Sequence, residues 1–73
     1  MSLAREIAKQ RAKKDLTMRE AAQLAKLSHN AVWRAEQGDA DMRTMVRIAH
    51  ALRVPVAKMT KAIQADARRL VAA

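Results

Sequence analysis

His29, Asn30, Trp33, Arg34 and Gln37 place five large polar or aromatic side chains within one short stretch of TMREAAQLAKLSHNAVWRAEQG, residues Thr17 to Gly38. At 100° per helical residue they fall in one arc of about 140°, while Ala31, Val32 and Ala35 fall opposite. The chemistry of such an arc is non-covalent: a guanidinium offers a fork of donors, and the amides offer a donor beside an acceptor. Bond-making chemistry finds no equivalent cluster. The two serines and two histidines lack the paired base and carboxylate orienter that a nucleophilic site needs. His29 and His50 have no metal-ligand spacing, and no glycine-rich phosphate loop occurs. No catalytic residue, metal or cofactor is therefore assigned, and a non-enzyme is expected.

The elements that must hold this arc are read from periodicity and caps. Residues 3 to 14 align Leu3, Ile7 and Arg11 on one line, a first helix. Thr17 with Glu20 three residues later is a capping box that opens a second helix, to about Ala25. Lys26 and Leu27 form a bend, and Ser28 caps a third helix that reaches about Gln37 and stops at the single glycine, Gly38. Asp41 caps a fourth, Met42 to Leu52, and Pro55 suits the first turn of a fifth, whose apolar pattern runs to Val71. In that fifth helix Val56, Met59, Ile63, Ala67 and Leu70 read as one stripe. Helices two and three, joined by two or three residues and packed through Ala21, Ala22 and Ala25, should cross steeply. The expectation is an all-α, five-helix unit.

Composition agrees. The 73 residues have room for one domain and a small core, so residues 1–73 are expected to be a single unit. Cysteine is absent, which suits a reducing cytoplasm. The charged first fifteen residues leave no apolar region for a signal peptide, and no apolar run exceeds four residues. Fifteen Lys and Arg against seven Asp and Glu give a formal charge of +8, the footprint of a polyanion partner. A helix that projects long hydrogen-bonding side chains from a basic domain has the dimensions to enter a DNA major groove.

Residues 18 to 37 resemble the helix-turn-helix of the lambda repressor and Cro-like (XRE) family of bacterial and phage regulators, and the likeness extends from about Leu3 to Met59. Ala22 stands at the small-residue position of helix two, Leu27 at the apolar turn position, and Val32 and Ala35 at the buried positions of helix three. AEQG matches the family's ending of helix three, and IAHALRVPVAKM resembles its following segment. The resemblance implies a lambda-repressor-like fold with the helix-turn-helix at about 17–37, and an ion pair between Arg11 and Glu36. It departs from the family in three places. Lys26 stands where glycine is usual, Met18 replaces a common glutamine, and GDAD is a short acidic loop where relatives have a longer basic one.

On this reading the chain is a sequence-specific, double-stranded DNA-binding regulator of Cro/C1 type, a repressor that binds an inverted-repeat operator as a homodimer. His29, Asn30, Trp33 and Arg34 are the candidates for base contact. For Trp33 a place along the core edge is the alternative. Lys13, Lys14, Thr17, Arg19, Lys26, Ser28, Gln37, Arg43 and Arg47 are candidates for backbone contact. Helix 55–71 is a candidate dimerisation element through Ile63, Ala67, Leu70 and Val71, with packing within the chain and a basic amphipathic membrane-binding segment as the alternatives. An antitoxin-like or adaptor module that binds a partner protein is the rival. A basic membrane-surface protein is disfavoured, because lipid headgroups do not demand amide side chains on a rigid helix.

Overall fold

A computed structural model describes residues 2–72, which form five helices: α1 Leu3–Lys13, α2 Met18–Ala25, α3 His29–Glu36, α4 Met42–Ala51 and α5 Val56–Ala72. The caps explain most of these boundaries. Ser2, Thr17, Ser28 and Asp41 each accept the amide three residues on, at Arg5, Glu20, Ala31 and Thr44. Three expected ends shift by one residue, since Lys14, Gln37 and Leu52 are the C-caps rather than the last helical residues. Pro55 likewise precedes the first helical residue of α5, and its carbonyl accepts the Met59 amide at 3.0 Å.

The first four helices all end in the same way. A residue with positive φ follows each: Asp15 at 55°, Lys26 at 57°, Gly38 at 79° and Arg53 at 61°. In each case its amide and the next one fold back onto carbonyls of the last turn, the two bonds of a Schellman motif. The residue after it is Leu16, Leu27, Asp39 or Val54. Val54 is buried in the core, and Leu16 and Leu27 pack against it. Asp39 alone of the four is a charged, exposed side chain.

Leu3, Ile7, Ile48, Leu52 and Val32 are the largest fully buried side chains, so the core sits where α1, α3 and α4 converge. Each such burial stabilises by about 1.5 to 3 kcal/mol. Buried Ala21, Ala22 and Ala25 let α2 lie against both α3 and α4. Gln10 adds a polar tie, donating through Nε2 to the Leu52 carbonyl at 3.2 Å.

Helix α5 corrects the stripe expected from the sequence. Its inward line is Met59 and Ala62, both buried, with Ile63 half-buried beside them and Asp66 one turn on. Val56 and Ala67 are exposed and lie off this line. The rotation is fixed by Asp66, whose Oδ2 accepts the Leu3 amide at 3.2 Å and so satisfies an otherwise unpaired donor at the start of α1. Leu70 stays on the inward line but extends past the core, 81% exposed, and Val71 is 86% exposed. Leu70 borders an open groove of about 810 Å³ that Ala4 and Ala8 of α1 and Met42 and Met45 of α4 also line.

Candidate nucleic-acid interface

The α2–α3 pair is built so that one face of α3 is buried and the other exposed. Val32 and Ala35 are fully buried, and His29, Asn30, Trp33, Arg34 and Gln37 are all exposed. Trp33 lies on the outer arc, 48% exposed, and not in the core.

Three sets of polar contacts shape this pair: two tie it to α1 and α4, and one sets where α2 begins. The first joins Arg11 to Glu36 at two points, Nε to Oε2 at 2.5 Å and Nη2 to Oε1 at 3.1 Å. Arg11 also donates from Nη1 to the Leu16 carbonyl at 2.9 Å, so one guanidinium binds the α1–α2 loop and the end of α3 together. Glu36's side chain is only 6% exposed and Arg11's 22%. The hydrogen bond to Glu36 raises the guanidinium's pKa further above its ordinary value, so the cation is permanent.

The second contact is at the turn. Arg47 of α4 donates from Nε to the Ala25 carbonyl at 3.0 Å, which places a cation at the C-terminal end of α2. The third is the capping box. Thr17 Oγ1 accepts the Glu20 amide at 3.1 Å, and Glu20 Oε1 accepts the Thr17 amide at 2.9 Å.

A family model described as a helix-turn-helix domain matches residues 2–62. The chain belongs to the helix-turn-helix domain family. No curated protein and no solved structure gives a match. The matched span of this helix-turn-helix domain ends at Ala62, the last fully buried residue of α5. Ile63, Ala67, Leu70 and Val71 all lie beyond it.

The remaining sequence candidates are exposed at helix ends and turns of the helix-turn-helix domain. Lys13 and Lys14 close α1, Thr17 and Arg19 open α2, and Lys26 and Ser28 occupy the turn into α3. Arg43 and Arg47 lie on α4, and Arg47's Nε is already engaged by α2. Sequence reasoning missed one partner in the arc. Arg34 donates from Nε and Nη2 to a single oxygen, Asp39 Oδ2, at 3.2 and 3.1 Å. Its signal was present: a glycine stop at Gly38 brings the second residue after the cap back beside the last helical turn. Among the described residues no group of His, Asp or Glu is arranged to hold a metal ion, and no helix is long and apolar enough to cross a membrane.

The caps give a pH prediction. Hydrogen bonds hold the Glu20 carboxyl below its ordinary value, chiefly from the Thr17 backbone, and Thr44 does the same to Asp41. Groups depressed on folding contribute stability that is full at neutral pH and is lost as pH falls through the carboxylate range. Thr17→Ala removes the acceptor of the Glu20 amide and should cost about 0.5 to 2 kcal/mol of stability. Glu20→Gln should lose less of its stability than wild type when melts at neutral pH and about pH 3 are compared. Equal acid losses would place the titration elsewhere.

Proposed function

We propose that the chain is a sequence-specific double-stranded DNA-binding regulator of Cro/C1 repressor type, acting in the cytoplasm without catalytic activity of its own, with residues 1–73 as one functional unit. The observation that carries this is the split of α3 and its C-cap, whose inner face is buried while five hydrogen-bonding or aromatic side chains stand exposed. In this reading α3 enters the major groove, His29, Asn30, Trp33 and Arg34 address base edges, and the cations at the helix ends meet phosphates. The experiment is selection of bound duplexes from a random library. Enrichment of an inverted repeat supports the reading; retention of all sequences alike refutes it.

Binding should also be steeply salt-dependent. Each phosphate neutralised contributes about −0.9 to the slope of log K against log salt. Lys13, Lys14, Arg19, Lys26, Arg43 and Arg47 are the donors, with Thr17, Ser28 and Gln37 as neutral contacts. A flat titration would remove the electrostatic half of the reading.

The homodimer part of the proposal rests on the exposed end of α5. Because Ile63 packs against the core, Leu70 and Val71 are the residues that test it without disturbing the monomer. Leu70→Asp with Val71→Asp should give a folded monomer with weakened operator binding. Two recognition helices should lie about 34 to 36 Å apart in the wild-type dimer. Sedimentation of the wild type as a monomer on DNA would exclude this geometry. The groove beside Leu70 favours the second reading, an antitoxin-like or adaptor module in which a partner protein fills it.

A further inference from the structure

We infer that Asp39 is a specificity-determining residue, a buttress that orients Arg34 for a single guanine; the inference rests on the DNA-reading role proposed for α3. The argument begins with the backbone. Gly38, at φ 79°, turns the chain so that the Asp39 amide donates to the Arg34 carbonyl at 2.8 Å. Main chain and side chain of Asp39 therefore both hold the same residue. At the equivalent position after α1, α2 and α4 the chain carries Leu16, Leu27 and Val54, each packed on or in the core. Only after α3 is that apolar anchor replaced by a carboxylate, and it faces a side chain of the exposed arc.

The geometry of the fork decides what this carboxylate does. A guanidinium has a lateral donor pair, Nε with Nη2, and an end-on pair, Nη1 with Nη2. Asp39 Oδ2 takes the lateral pair. The end-on pair keeps two parallel N–H groups, the arrangement that meets guanine O6 and N7. Asp39 thus fixes the side chain's direction and leaves its reading edge open.

Magnitudes separate this role from two others. The side chains of Arg34 and Asp39 are 52% and 72% exposed, and ion pairs of such exposure contribute a factor of about five at most to folding. That is too little to be a stability device. It is also too little to withhold Arg34 from a guanine, since a good bidentate pair discriminates by roughly five- to 150-fold. A carboxylate this close also repels phosphate. It lowers affinity for every duplex while sharpening the preference for one.

The test measures Kd for the selected operator, for the operator with the Arg34 guanine changed to adenine, and for a scrambled duplex. The proteins are wild type, Arg34→Ala, Asp39→Ala, Asp39→Asn and the double Ala variant, each checked for helix content. Asp39→Ala should lower the guanine preference by a factor of up to about five and tighten binding to scrambled DNA. Asp39→Asn, which keeps an acceptor, should restore part of the preference. In the Arg34→Ala background the Asp39 change should no longer affect base preference. A guanine preference that is unchanged or increased in Asp39→Ala, while Arg34→Ala loses it, overturns the buttress and leaves the reading of α3 intact. Loss of no preference in Arg34→Ala, or selection of no duplex at all, overturns that reading and this inference with it.

Discussion

Glu36→Ala is expected to lower the unfolding free energy by about 3 kcal/mol, the lower end of the range for breaking a buried ion pair because Arg11 retains some solvent contact. A domain of this size has roughly 4 to 11 kcal/mol in total. The variant should therefore unfold at much lower urea, and much of the loss is the stranded Arg11 cation. Glu36 offers two oxygens to Arg11, and both are used. Glu36→Gln keeps the shape and one acceptor, so it should lose less than alanine does. Replacing both partners by apolar residues, Arg11→Met with Glu36→Leu, should be more stable than Glu36→Ala, since no unpaired charge is left. A loss below about 1 kcal/mol in Glu36→Ala would mean that the pair is screened like a surface one. DNA binding gives a second readout. Arg11 also holds the Leu16 carbonyl, so releasing it loosens the α1–α2 loop against the end of α3.

What the sequence reveals of this arrangement depends on how local the cause is. Thr17, Ser28 and Asp41 announce their helices because a cap bonds an amide three residues away. The exposed arc of α3 follows from the period alone, and the joining of Arg11 to Glu36 was available only through the resemblance to a family. Helix α5 was misread for a physical reason. Alanine suits either side of a helix, so Ala62 and Ala67 carry no direction, and Asp66 faces inward only because the Leu3 amide, far away in the chain, needs an acceptor. The Asp39 contact with Arg34 was missed because the arc was considered without the turn that follows it. Two positive-φ positions, Asp15 and Arg53, were likewise hidden, since no glycine marks them.

Those positions support the second large effect. Asp15, Lys26 and Arg53 each close a helix in the left-handed region, where a Cβ costs roughly 1 to 2 kcal/mol and glycine is free of the clash. Glycine returns part of that gain through its more flexible unfolded chain, about 0.5 to 1 kcal/mol. Aspartate tolerates the region better than lysine or arginine, so Asp15→Gly should contribute least. The three replacements end three different helices, and their effects should add to roughly 1.5 to 3 kcal/mol. In a domain of this length each kcal/mol raises Tm by about 4 to 8 °C. Lys26→Gly carries a further consequence, because Lys26 sits in the turn before α3 and is a candidate phosphate contact. That single variant should become more stable and yet bind DNA more weakly, with its salt slope reduced by about 0.9. Arg53→Gly, at the end of α4 and outside the candidate contacts, should gain stability with the slope unchanged. A thermal melt and a salt titration on both variants test the two claims separately. Unchanged Tm in both would show that left-handed strain is relieved elsewhere, while equal slopes would remove Lys26 from the DNA backbone.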